Sequence, residues 1–131
     1  MRALLQSIDA ITLFVEDPQR SKRFYEEVFG LPVIYEDDNS AVFKFENTIV
    51  NLLAVSEAPG LLDPAAVAGR EAGSRFVFSI WVDDTDAVCE QLAEHGVALL
   101  NGPMNREWGK RTASFTDPDG HIWEVAQDIP G

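Results

Sequence analysis

A chain of 131 residues, 46% apolar and 24% charged, has the size and composition of a single globular domain, which excludes disordered, collagen-like and membrane-spanning classes. The formal net charge of −12 disfavours nucleic acid and anionic membrane as partners, because phosphate binding needs clustered Lys and Arg; it serves solubility or a cationic small molecule instead. The one cysteine, Cys89, excludes a disulfide framework and a cysteine-rich zinc site, and its place on the apolar side of a helical stretch makes it a small core residue.

Met1 to Phe14 carries one basic residue, and Gln6, Ser7 and Asp9 break its apolar run, so the stretch does not read as a signal peptide and a cytoplasmic protein is expected. Ile8 to Val15 alternates, with Ile11, Leu13 and Val15 on one face and Ala10, Thr12 and Phe14 on the other, which predicts a strand. Asp17 is a suitable N-cap and Pro18 a suitable first helical residue, and Phe24, Tyr25, Val28 and Phe29 recur at helical spacing up to Gly30, a natural stop. The predicted helix runs from about Pro18 to Phe29. Short strands follow at Val33 to Tyr35, Ala41 to Phe45 and Ile49 to Val55. Ser56 to Ser74, punctuated by Pro59, Gly60, Pro64, Gly69 and Gly73, reads as a linker with one helical turn at Pro64 to Ala68.

The pattern then restarts. Phe76, Phe78, Ile80 and Val82 alternate with Val77, Ser79 and Trp81; Asp83-Asp84-Thr85 opens a helix that Gly96 stops. Val97 to Leu100 is the next strand and Asn101 to Lys110 a long loop. Thr112 to Gln127 reads as a hairpin around Asp117-Pro118-Asp119-Gly120, with Asp119 bonding its neighbouring backbone and Glu124 pointing away from Trp123 and Val125. Val15-Glu16-Asp17 recurs as Val82-Asp83-Asp84, and Gly30-Leu31 as Gly96-Val97, so a β-α-β-β-β unit is duplicated.

This doubled unit, the F-Y-E-E-V-F-G-L run and the closing W-G-K-R-T-A-S-F-T-D-P-D-G-H-I-W-E-V resemble the vicinal oxygen chelate superfamily, with its glyoxalase, bleomycin-resistance and extradiol dioxygenase members. The resemblance implies an α+β fold in which two tandem βαβββ modules form a curved mixed sheet around a cavity, in a single domain over 1–131. The modules fall at about 7–55 and 75–128, with a linker at about 56–74 between them. It also implies a homodimer.

By alternation, Ile11, Leu13, Val15, Val50, Leu52, Phe78, Ile80, Val82, Trp123 and Val125 should pack beneath the helices. Ala10, Thr12, Phe14, Asn51, Leu53, Val77, Ser79, Trp81 and Glu124 should face the cavity. Metal-dependent members of the family place ligands on positions that match Ala10, Asn51, Val77 and Glu124. Ala10 and Val77 have no donor atom and Asn51 offers a neutral amide oxygen, so no metal or other cofactor is expected. His95 is assigned to a helix end and His121 to an exposed turn, and Asp83, Asp84 and Asp86 to the charge of a helix N-terminus.

The candidate ligand-binding residues are therefore Thr12, Phe14, Asn51, Leu53, Ser79, Trp81, Trp108, Arg111 and Glu124. Trp108 would close the mouth or simply anchor its loop, and Arg111 would bind ligand or pair with Glu124, which Lys110 could also satisfy. The preferred reading is a metal-free protein similar to the drug-sequestering, antibiotic-resistance branch of the family, holding a planar or cationic small molecule. The alternative is a glyoxalase-like lyase, isomerase or dioxygenase in which Glu124 is base or metal ligand.

Overall fold

The computed structural model describes residues 4–130; the part of the N-terminal reading that falls on residues 1–3 lies outside it. The chain divides after Ala68 into two compact units.

In the first unit, β1 (Ala10–Val15) leads into α1 (Pro18–Phe24), which continues as a π-helical turn over Tyr25–Phe29. The entry is the one the sequence predicts. Asp17 accepts from the N–H groups of Gln19 and Arg20 and Pro18 occupies the first turn, while Gly30 ends the turn at φ 70°. Strands β2 (Val33–Asp37), β3 (Ser40–Lys44) and β4 (Ile49–Ala54) complete a four-stranded sheet of order β1-β4-β3-β2, with β1 parallel to β4 and the other pairs antiparallel. The helix covers the face that carries Leu13, Val15, Phe43, Val50 and Leu52, all buried. Tyr25, fully buried, joins them with its ring 5.7 Å from that of Phe43 and 4.9 Å from that of Phe29.

The linker differs from expectation. Its helical turn, α2, is Pro59–Leu62 rather than Pro64 to Ala68, because Asp63 precedes a proline, takes an extended ψ of 135° and ends the helix.

The second unit repeats the topology with β5 (Phe78–Trp81), α3 (Thr85–Glu94), β6 (Leu99–Asn105), β7 (Lys110–Thr116) and β8 (Ile122–Asp128) in the order β5-β8-β7-β6. Asp84 caps α3 by accepting from Ala87 N–H. Phe115, Trp123, Val125 and, from the helix, Leu92 form its core. β6 runs farther than the sequence implies. The Gly102-Pro103 pair that reads as loop lies within an edge strand, where a missing N–H costs no ladder bond, and register shifts on both sides of Asn101 absorb the irregularity. What remains of the long loop is a tight turn, in which Gly109 donates its N–H to the Arg106 carbonyl. Trp108 is thus at a hairpin tip.

No helix among the described residues is long and apolar enough to cross a membrane.

Candidate functional site

In each sheet, residues opposite one another in register share a face, so the ladders identify which side chains lie away from the helices. In the second unit Ser79 pairs with Glu124 and Glu124 with Ser114, placing all three on the helix-free face. Ser79 Oγ donates to Glu124 Oε1 at 2.7 Å. That bond is the carboxylate's partner, not Lys110 or Arg111.

Trp81 lies two residues beyond Ser79 on the same face and is 67% exposed. Lys110 Nζ sits 4.6 Å from the centre of its ring and is ion-paired with Asp128. Arg106 mirrors this arrangement at the tip of the β6–β7 hairpin. Its guanidinium carbon is 5.6 Å from the Trp108 ring, its Nε donates to Thr112 Oγ1 at 2.9 Å and its Nη2 to Asn101 Oδ1 at 3.2 Å. Sequence reasoning passed over Arg106 and considered Lys110 only as a partner of Glu124. Lys110 shares parity with Thr112 and Ser114, so the alternation that placed Glu124 would have placed Lys110 once the β7–β8 register was known.

Arg111 is a correction. It pairs in register with Gln127 and lies on the helix side, where Nε and Nη2 hold the two carboxylate oxygens of Asp86 at 2.7 and 3.0 Å and Nη1 donates to Asn105 Oδ1. These hydrogen bonds hold Asp86 below the ordinary carboxylate range and raise Arg111 in turn. The residue fixes α3 to the sheet and does not face Glu124. Nearby, burial pushes the Cys89 thiol up, in keeping with an inert, half-buried side chain.

In the first unit, Thr12, Asn51 and Val42 form a row across β1, β4 and β3 on the helix-free face, and Phe14 and Leu53 form part of the next row. All five are half-buried. Asn51 Oδ1 is fully buried and has no hydrogen-bond partner. No other buried side-chain nitrogen or oxygen among the described residues is in that state.

His121 is not the exposed turn residue expected. Its Nδ1 lies 2.7 Å from Oδ2 of Asp117, a buried carboxylate whose Oδ1 also accepts the N–H groups of Asp119 and His121 at 2.9 Å. Asp117, not Asp119, therefore organises the turn. His95 is the exposed C-cap of α3.

The resemblance implies that a metal, where one is held, sits on the positions of Ala10, Asn51, Val77 and Glu124. In the first unit the helix-free face offers the Asn51 amide oxygen beside Ala10, and in the second it offers Glu124 beside Val77, which lies just before β5. Of the four matched positions, each unit thus brings one with an oxygen donor, Glu124 is already bonded to Ser79, and His121 is held by Asp117 at the turn. No group of three or more His, Cys, Asp or Glu side chains that could hold a metal ion occurs among the described residues. These residues do not fit a divalent transition ion, which takes three or four nitrogen, oxygen or sulfur ligands.

Comparison with known proteins agrees with the topology. The chain is 32% identical to the uncharacterized protein YraH of Bacillus subtilis, over 88% of this chain and 93% of that one. It is 28% identical to the metallothiol transferase FosB of Lysinibacillus sphaericus, over 92% of this chain and 81% of that one. Among solved structures, a glyoxalase/bleomycin resistance protein/dioxygenase from Nocardioides superimposes with a TM-score of 0.88 at 20% identity, covering 99% of this chain and 88% of that one. The family model for the Glyoxalase/Bleomycin resistance protein/Dioxygenase superfamily matches residues 7–125, and the chain belongs to that superfamily.

Proposed function

We propose that this chain is a small-molecule-binding member of the superfamily that works without a resident metal, in the cytoplasm and as a homodimer. The observation that carries the reading is the donor set: Ala10 and Val77 contribute no ligand atom, and Glu124, the one carboxylate in line for the role, is engaged by Ser79. FosB is named as a metallothiol transferase, so the proposal separates this chain from that relative at the metal.

The ligand we propose is planar and carries no positive charge. Trp81 and Trp108 are large, exposed ring faces suited to stacking, but each already has a cation against it, Lys110 and Arg106. A cationic ligand would be repelled by those charges, whereas an anionic or neutral ring would not, which reverses the preference drawn from net charge alone. Tryptophan emission tests this directly. Titration with 1-naphthoate should quench it saturably, and N-methylquinolinium should bind more weakly; tighter binding of the cation would overturn the ligand class. Sedimentation equilibrium tests the dimer, and a monomer would remove that element.

A second reading is favoured by the Ser79 bond itself, which fixes Oε1 of Glu124 and so orients the carboxylate, an arrangement fit for a general base. A metal-independent lyase or isomerase would then exchange solvent deuterium into a bound carbon acid. Loss of that exchange in Glu124→Gln, with ligand binding retained, would establish it; no exchange in the wild type would dismiss it.

A further inference from the structure

We infer that Arg106 anchors a carboxylate, so that the small molecule held at the tip of the β6–β7 hairpin is an aromatic acid whose ring stacks on Trp108. The inference rests on the binding reading above, stays within the second unit and adds the chemistry of one contact.

Two cations stand against indole rings in this unit, and they differ in one respect. Lys110, 4.6 Å from the centre of the Trp81 ring, already has its counter-charge in Asp128. Arg106, 5.6 Å from the centre of the Trp108 ring, donates from Nε and Nη2 to the neutral oxygens of Thr112 and Asn101. Among the described residues no carboxylate is ion-paired with it. Glu124 lies on the same face of the sheet, but its carboxylate is held by Ser79. In a chain with 22 acidic and 10 basic residues counter-charges are plentiful, and Lys22, Lys110 and Arg111 each have one. A half-buried guanidinium that lacks one keeps its charge for an incoming anion.

The group is also held still. Thr112, 1% exposed, is fixed within β7, and with Asn101 it sets the plane of the guanidinium before a ligand arrives, which lowers the entropy lost on binding. Among the described residues Nη1 has no hydrogen-bond partner, and the edge of a guanidinium matches a carboxylate through parallel N–H···O bonds. Trp108, 67% exposed, offers ring surface beside that edge. An ion pair at an exposed site is weak by itself, so the ring and the carboxylate have to be carried by one molecule.

Calorimetric titration with 1-naphthoate and its neutral counterpart 1-naphthamide decides the matter. The wild type should hold 1-naphthoate about 10-fold more tightly, the worth of one charge-assisted hydrogen bond. Arg106→Gln should abolish the difference and keep the affinity for 1-naphthamide, which also reports that the variant is folded. A preference that survives in Arg106→Gln, or that Lys110→Gln removes equally, would overturn the inference. Loss of both ligands in Arg106→Gln would mean that the residue shapes the hairpin instead of receiving the carboxylate, and would overturn it too. Equal affinities for the wild type, or a preference for the amide, would overturn the anchor and leave the planar, uncharged ligand standing. Failure of both compounds to bind the wild type would overturn it together with the binding reading.

Discussion

At the residue scale the second unit is tied together by charged and polar side chains whose partners are distant in sequence. Arg111 grips Asp86 with two nitrogens, and the first consequence is a pH dependence. The hydrogen bonds from Arg111, reinforced by its charge, hold Asp86 below its ordinary value. A carboxylate with a depressed folded-state pKa contributes stability above its unfolded value, about 3.9, and loses it as pH falls through the folded value. Asp86→Asn should therefore lower the urea midpoint at pH 7, and its gap to the wild type should narrow as pH is lowered below about 4. A gap that does not change with pH would assign the pair to packing.

Asp117 makes a stronger claim. It is buried, accepts two backbone N–H groups and lies against His121 Nδ1, so Asp117→Ala should cost about 2 to 4 kcal/mol by urea unfolding. A loss under 1 kcal/mol would mean that the turn stands without it. Local pattern reached some of this and not the rest. Alternation alone put Glu124 on the face opposite Trp123, but Ser79 as its partner, 45 residues away, and Asp86 as the partner of Arg111, 25 away, follow from strand and helix placement that no short window contains.

At the element scale the helix starts were legible because capping is local chemistry. Asp17 and Asp84 each receive N–H bonds from the turn that follows them. Asp17→Ala should cost about 1 kcal/mol, read as a lowered denaturation midpoint, and no change would mean that α1 is held by its packed aromatic face alone. β6 was not legible, because glycine and proline in sequence mark turns while an edge strand tolerates both. The glycine there has a packing role as well. A Cβ on Gly102, at φ 86°, would lie 2.4 Å from the Thr112 carbonyl oxygen and 2.8 Å from Ala113 Cα. Gly102→Ala should therefore destabilise by about 2 kcal/mol or more and expose the β6–β7 amides to hydrogen exchange. Wild-type protection in the variant would show that the strand pair shifts to make room.

At the scale of the whole molecule, duplication is what made the fold readable. The recurrence of V-E-D as V-D-D before a helix, and of a glycine after it, matches two units with the same strand order, and the family model spans both. Function was less legible, since a shared fold carries many chemistries and the four positions that bear on it, Ala10, Asn51, Val77 and Glu124, are matched by resemblance alone. The charge of −12 is a property of the whole chain too. Self-repulsion of that size should be screened by salt, so the melting temperature should rise between about 0.01 and 0.5 M sodium chloride. A flat response would mean that the carboxylates are already neutralised by their own partners. The central claim, that Ala10, Asn51, Val77 and Glu124 do not hold a metal, is met most directly by calorimetric titration of the protein with zinc, nickel, manganese and iron(II). The account predicts no saturable one-to-one heat with any of them, and a stoichiometric site lost in Glu124→Gln would contradict it.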